Sequence, residues 1–111
     1  MTTHKQLPLL VIAAALALPA AAQPERTGEQ VVQHQCILCH GPGVGGAPKI
    51  GDAKAWDKRA RSGIDPLVRS ALNGRNGMPP NGGLAGITEA ELRAAIRYML
   101  EKSGTSRNPG T

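Results

Sequence analysis

Leu92, Ala95, Ile96, Met99 and Leu100 recur at i, i+3, i+4, i+7 and i+8, the apolar stripe of an amphipathic helix. Thr88-Glu89-Ala90-Glu91 precedes the stripe and has the form of a capping box. Lys102 suits the C-terminal end of the dipole and Gly104 follows it, so a helix is predicted from Glu89 to about Lys102. A shorter stripe, Leu67, Val68, Ala71 and Leu72, follows Asp65-Pro66, which reads as an N-cap and a proline at N1. That helix should run to Leu72 or Asn73 and stop at Gly74. Asp52 is placed to cap a short helix through about Ala60. Upstream, Thr27-Gly28-Glu29-Gln30 is a second capping-box pattern, opening a helix to about Leu38 or Cys39 with Val31, Val32, Gln35 and Cys39 near one face. Gly28 costs a helix about 1 kcal/mol against Ala, which makes sense where another helix crosses closely. No period-two alternation of any length appears. The pattern predicts an all-α domain of about four helices, without repeats.

Between the helices lie two segments of different composition. Residues 41–48 hold four glycines and two prolines, and residues 73–86 are rich in Gly, Pro and Asn. Both read as loops. The first is not a phosphate cradle, because the P-loop lysine and its following Ser or Thr are missing. Backbone passing close to a flat ligand explains it better.

The N-terminus has a different character. Lys5, with His4, makes a basic start, Leu7–Leu18 is an apolar run interrupted by Pro8, and Ala20-Ala21-Ala22 suits cleavage. This is the pattern of an export signal over residues 1–22, too short to span a bilayer comfortably. Cleavage after Ala22 leaves one small domain, residues 23–111, with residues 103–111 as a polar, mobile tail. The expected location is the periplasm of a bacterium, with an uncleaved anchor as the alternative. No cysteine follows the apolar run to take a lipid.

Cys36-Ile37-Leu38-Cys39-His40 carries the chemistry. C-x-x-C-H is the attachment pattern of a c-type haem. Two thiols add across two vinyl groups as thioethers, and the adjacent imidazole becomes the proximal iron ligand. Helical spacing of i, i+3 and i+4 puts all three on one face. A structural zinc site needs four protein ligands, and beyond these three the domain offers only His34, two positions before Cys36. A redox dithiol leaves His40 unexplained and lacks a βαβ setting. The domain has one tryptophan, Trp56, one tyrosine, Tyr98, and no phenylalanine. A large planar cofactor at the centre would repair so thin a core.

The iron needs a sixth ligand, for which Met78, Met99 and His34 are the candidates. Met99 belongs to the last helix stripe and reads as core, and His34 reads as surface. Met78, in Gly77-Met78-Pro79-Pro80, sits in a loop able to fold over the open face, with prolines stiffening the chain after the sulfur. His/Met ligation favours ferrous iron and leaves no open position for a substrate. That points to outer-sphere electron transfer rather than catalysis.

With Gly28, Cys36–His40, Gly46-Ala47-Pro48-Lys49-Ile50-Gly51-Asp52, Trp56, Ser70-Ala71-Leu72-Asn73-Gly74, Met78-Pro79-Pro80 and Tyr98, the chain resembles the class I c-type cytochromes, in particular the small bacterial cytochrome c5-like group. The resemblance covers roughly residues 27–102. It implies the small cytochrome c fold around one covalently bound haem c. It also implies that the Pro48 carbonyl accepts from His40 Nδ1, that Trp56 and Arg59 contact haem propionates, and that Gly28 and Tyr98 lie where the first and last helices cross. Some relatives carry a further cysteine pair near the second loop, which this chain lacks.

The formal charge is +5, which becomes +4 on loss of Lys5. A mildly basic surface can steer encounter with an acidic partner. Nucleic acid fits poorly, since an exported chain with so few aromatics has no stacking platform. The expectation is a monomeric, non-enzymatic carrier of single electrons between redox-protein donor and acceptor, touching membranes only through respiratory complexes. Lys49, Lys54 and Arg75 are placed to guide docking. The alternatives are a haem sensor or gas binder with a displaceable Met78, and a subunit permanently docked to a larger oxidoreductase.

Overall fold

The computed structural model describes residues 1–18 and 24–105. Residues 1–18 run without helix or strand and are exposed throughout. The Ala20–Ala22 cleavage motif and residues 106–111 of the expected tail lie outside the described residues. Among the described residues no helix is long and apolar enough to cross a membrane.

The first helix spans residues 28–40. It opens with Thr27, whose hydroxyl accepts from the Gln30 amide while the Gln30 side chain accepts from the Thr27 amide. It is not uniformly α. Gly28–Val31 and Ile37–His40 are α-helical, and Val32–Cys36 between them forms a wider π turn. A π turn acts as one inserted residue, which swings the following residues by about 100° around the axis. Hydrophobic periodicity carries no mark of such a turn, and it was not foreseen. The helix also runs one residue further than expected, so His40 closes its last turn.

The second helix, Ala53–Arg59, is capped by Asp52, which accepts from the Ala55 amide, and it tightens into a 3₁₀ turn over Ala60–Ser62. The third, Ile64–Asn73, starts earlier than expected. Gly63, at φ 90° and ψ −177°, takes the N-cap position assigned to Asp65. Burial of Ile64 in the core makes it the first helical residue. Asp65 and Pro66 then fall where a missing amide partner costs nothing, and the Asp65 carboxylate accepts from Arg93 at 2.7 Å. The fourth helix, Glu89–Lys102, has the expected capping box at Thr88 and Glu91, and its whole predicted stripe is buried.

The first and last helices cross at Gly28. A Cβ there would collide with the Ala94 carbonyl and sit 3.1 Å from the Ala95 nitrogen. Glycine therefore sets how near the two backbones lie, as expected, and Tyr98 lies beside it with its hydroxyl 3.4 Å from the Glu29 carboxylate. The crossing is locked from one side by Arg26. Its guanidinium donates to both oxygens of Glu91 at 2.8 and 2.9 Å, and its amide adds a third bond at 2.9 Å. These bonds, with one from the Thr88 amide, hold the Glu91 carboxyl down to about 2.

Val31, Val32, Trp56, Ala60, Ile64, Val68, Ala71, Leu92, Ala95, Ile96, Met99 and Leu100 form one core drawn from all four helices. Among the described residues there is no sheet, only an isolated bridge between Arg75 and Met78. Ser103 corrects the sequence reading. Instead of opening a mobile tail it is buried, accepting from the Gly51 amide at 2.9 Å and donating to the Met99 carbonyl at 2.6 Å.

Candidate functional site

The site is built around the C-terminal turn of the first helix. Neither cysteine is in a disulfide; Cys36 is half-buried against the core and Cys39 is exposed. Burial pushes the Cys36 thiol above its ordinary pKa, and the neighbouring Cys39 adds to the effect. His40 is buried, its ring tilted 32° to that of Trp56 with centroids 5.4 Å apart.

His40 Nδ1 lies 2.8 Å from the Pro48 carbonyl oxygen. A carbonyl only accepts, so Nδ1 carries the proton. Nε2 is then left with a free lone pair, the form of imidazole that ligates a metal. The resemblance implied this contact, and the fold explains its geometry. The loop after His40 turns back on itself through Gly43, at φ 84°, and the Ile50 amide donates to the His40 carbonyl at 2.8 Å. Ring and backbone of His40 are thus both held by one loop.

Trp56 and Arg59, which the resemblance sets against haem propionates, each have a partner within the protein. The Trp56 indole N–H donates to the Lys49 carbonyl at 2.9 Å and the ring is buried in the core. That donor is spent on the loop. Arg59 is exposed and donates to the Ala55 carbonyl of its own helix at 3.1 Å. Cys36, Cys39, His40, Pro48 and Trp56 are therefore brought together, whereas Arg59 is turned to its own helix.

Met78 approaches from the second loop. Arg75 and Met78 exchange backbone hydrogen bonds of 3.0 and 2.8 Å across a tight turn with Asn76 at φ 50°. Gly74 makes this possible. At φ 81° and ψ 153° its backbone is open only to glycine, and a Cβ would sit 3.0 Å from the Met78 oxygen and from Pro80. The Met78 side chain is half-buried, packed at the edge of the core. His34 is exposed and Met99 is fully in the core, as expected of both. Among the described residues no cluster of three or more His, Cys, Asp or Glu could hold a bare metal ion.

Three features of the site escaped the sequence reading. The Lys49 carbonyl is a backbone group and leaves no trace in side-chain pattern. Ser103 looked like the first residue of a polar tail. Gln35, placed only on a helix face, donates to the Gly82 carbonyl at 3.1 Å.

Known proteins resemble this chain over most of its length. Residues 23–99 match the family described as "Cytochrome C oxidase, cbb3-type, subunit III". Cytochrome c5 of Ectopseudomonas mendocina is 45% identical over 76 residues, which is 67% of this chain and 87% of that protein. Among solved structures, the cytochrome c in an electron-transfer complex with nitrite reductase is 42% identical, with a TM-score of 0.67 over 73% of this chain and 99% of its own. A mono-heme ferrocytochrome c from Shewanella putrefaciens is 36% identical, with a TM-score of 0.63 over 69% and 95%. The chain belongs to the class I c-type cytochromes, in the cytochrome c5-like group. It carries one covalently bound haem c with its iron, and it is an electron-transfer protein rather than an enzyme. The donor set fits that group: two unpaired thiols and an imidazole whose Nδ1 is already committed.

Proposed function

We propose that this protein is a periplasmic carrier of single electrons whose haem is attached through Cys36 and Cys39 and ligated by His40 and Met78. The observation that carries the reading is the His40 Nδ1 to Pro48 hydrogen bond, which leaves Nε2 available to a metal directly beside Cys36 and Cys39. The bound haem supplies a one-electron change at iron. The protein supplies the rest. Pro48 strengthens the imidazole as a donor by accepting its proton hydrogen bond. Met78 offers a thioether from a loop whose turn is closed by its own backbone, a ligand that favours the reduced state. Trp56 sustains the site as packing and as the anchor of the Lys49 carbonyl. Trp56, beside His40, and Arg59, one turn after Ala55 and exposed to solvent, are the candidates for propionate contacts.

Residues 1–22 act as the export signal, and residues 23–111 as the exported, monomeric cytochrome domain. Partners dock near the motif, where Leu38 and Val44 are exposed apolar residues and Lys49, Lys54 and Arg75 are exposed cations. The relative seen with nitrite reductase supports a redox-enzyme acceptor, and a separate redox protein is the donor. The relatives are matched over nearly their whole length, which favours a free carrier over a permanently docked subunit.

The deciding test is the absorption spectrum of the exported holoprotein in both redox states beside Met78→Ala. A low-spin wild type with a ferric methionine–iron charge-transfer band, lost in the variant, is the expected result. A high-spin ferric wild type would overturn His/Met ligation and support the sensor reading. Association with an acidic redox partner should also slow as salt is raised; a salt-independent rate would remove the three cations from the docking role.

A further inference from the structure

Gln35 stands immediately before Cys36, in the π turn of the first helix. Its side-chain amide crosses to the second loop and donates to the Gly82 carbonyl at 3.1 Å. The loop it reaches is unusual. Asn81, Gly82 and Gly83 follow one another at φ 58°, 62° and 78°, and Asn81 is not a glycine. Left-handed backbone costs a non-glycine residue about 1 kcal/mol or more. Such a run persists where its surroundings hold it. Its internal bonds, Gly82 to Pro79 at 3.1 Å and Leu84 to Asn81 at 3.2 Å, are short-range and tie it to nothing else.

The contact is also close to Met78. A Cβ on Gly82 would lie 3.8 Å from the Met78 methyl, and one on Gly83 would lie 3.1 Å from the Gln35 amide nitrogen and 3.2 Å from Pro79. Gln35, Gly83 and Pro79 are thus packed together one residue beyond Met78. The π turn accounts for the reach, because it re-aims the residues near Cys36 relative to a straight helix.

We infer that Gln35 is a positioning residue. Its amide clasps the Met78 loop to the helix that bears Cys36, Cys39 and His40, and so sets how readily Met78 yields its place to another ligand. The inference rests on the His/Met reading above and adds to it the element that holds the sulfur in place. Releasing the clasp lets residues 79–84 open, and a sulfur on an open loop is more easily replaced.

The test uses the exported holoprotein with Gln35→Leu and Gln35→Glu. Leucine removes the donor. Glutamate keeps the shape and turns a carboxylate toward a carbonyl, which separates the hydrogen bond from packing. Ferric protein is titrated with imidazole and followed at the charge-transfer band, and amide exchange is measured at Gly82 and Leu84. One net hydrogen bond is worth about a fivefold to tenfold change in an opening equilibrium. Both variants should bind imidazole about that much more tightly and exchange faster at Gly82 and Leu84, with the band intact before imidazole is added. Wild-type-like imidazole affinity and exchange in both variants, with the band present, would overturn the clasp alone. A wild type without the band would overturn the ligation reading, and the clasp with it. Should Gln35→Leu fail to mature, Gln35→Glu and the exchange rates decide the matter.

Discussion

Residues 41–52 hold His40 and residues 74–84 carry Met78, the two proposed iron ligands, and both segments are rich in glycine and proline. They are held in different ways. The first loop is tied to three separate parts of the molecule. Pro48 and Ile50 bond to His40, Lys49 accepts from Trp56 in the second helix, and Gly51 donates to Ser103 at the end of the fourth. The second loop is closed mainly on itself, by the Arg75–Met78 pair and two short turns. Among the described residues one side-chain hydrogen bond, from Gln35, ties it to another helix. Each tie that crosses to a different element must break before the loop can open, so the two loops differ in how cheaply they move. On the proposed ligation, the imidazole is the firmly held ligand and the methionine the one that can exchange.

The largest way to break this difference is Trp56→Ala. The substitution removes a buried indole and the donor to Lys49 together. Loss of a buried tryptophan costs about 3–5 kcal/mol, a large fraction of what a domain this size has. Denaturant unfolding of the holoprotein should show it, and Trp56→Phe, which keeps most of the packing, should lose about 1 kcal/mol. A Trp56→Phe variant as unstable as Trp56→Ala would mean that the Lys49 bond, rather than the ring, carries the loop.

Gly74→Ala comes next and acts on the other loop. The backbone there is closed to an L side chain, and the new methyl meets Met78 and Pro80. The cost is about 1–3 kcal/mol. Because the second loop has few outside ties, the strain should appear as loop opening. The methionine charge-transfer band should weaken while amide exchange on the His40 side, at Ile50 and Gly51, is unchanged. Equal damage to both sides would contradict the independence of the loops.

Ser103→Ala is smaller, about 1 kcal/mol, from the Gly51 amide left without its partner. Its value lies in where the loss appears. Amide exchange should quicken at Ile50 and Gly51 and stay unchanged at Gly82 and Leu84. A change at the second loop instead would show that the two loops open together.

How much of this was legible in the sequence follows from what each feature is made of. The Thr27 and Thr88 capping boxes and the last helix stripe are side-chain patterns at fixed spacing, and they appear as read; the C-x-x-C-H run is a pattern of the same kind, and the relatives bear out the haem it announces. Gly28 was legible because a glycine early in a good helix needs a reason, and the Ala94 carbonyl supplies it. Asp65-Pro66 misled because capping statistics are local, whereas burial of Ile64 set where that helix begins. The π turn, the Lys49 carbonyl and the Gly82 carbonyl are backbone features that no side-chain pattern encodes. Ser103 was missed for a related reason. A polar residue after a helix usually faces water, and only the fold shows that Gly51 arrives beside it.

The mildest perturbation is acid, and it tests whether the helix crossing is independent of both loops. Glu91 sits under Arg26 at the crossing, with its carboxyl held near 2 against an ordinary value of 4.5, first by the guanidinium hydrogen bonds and then by the Arg26 and Thr88 amides. A depressed carboxyl stabilises the fold fully above its unfolded value and loses that contribution as pH falls toward its folded one. Stability should therefore be flat in this respect from neutral pH to about pH 5 and decline between about 4.5 and 2. Glu91→Gln, which cannot ionise, should lower the melting temperature at pH 7 and show a shallower decline over the same interval. Met78 and His40 make no contact with this pair through any hydrogen bond described, so at pH 4 the imidazole affinity of the ferric wild type should match its value at pH 5 once imidazole's own protonation is allowed for. An affinity that rises in step with the loss of stability would mean that the crossing of the first and last helices, and not Gln35 alone, keeps the methionine loop shut.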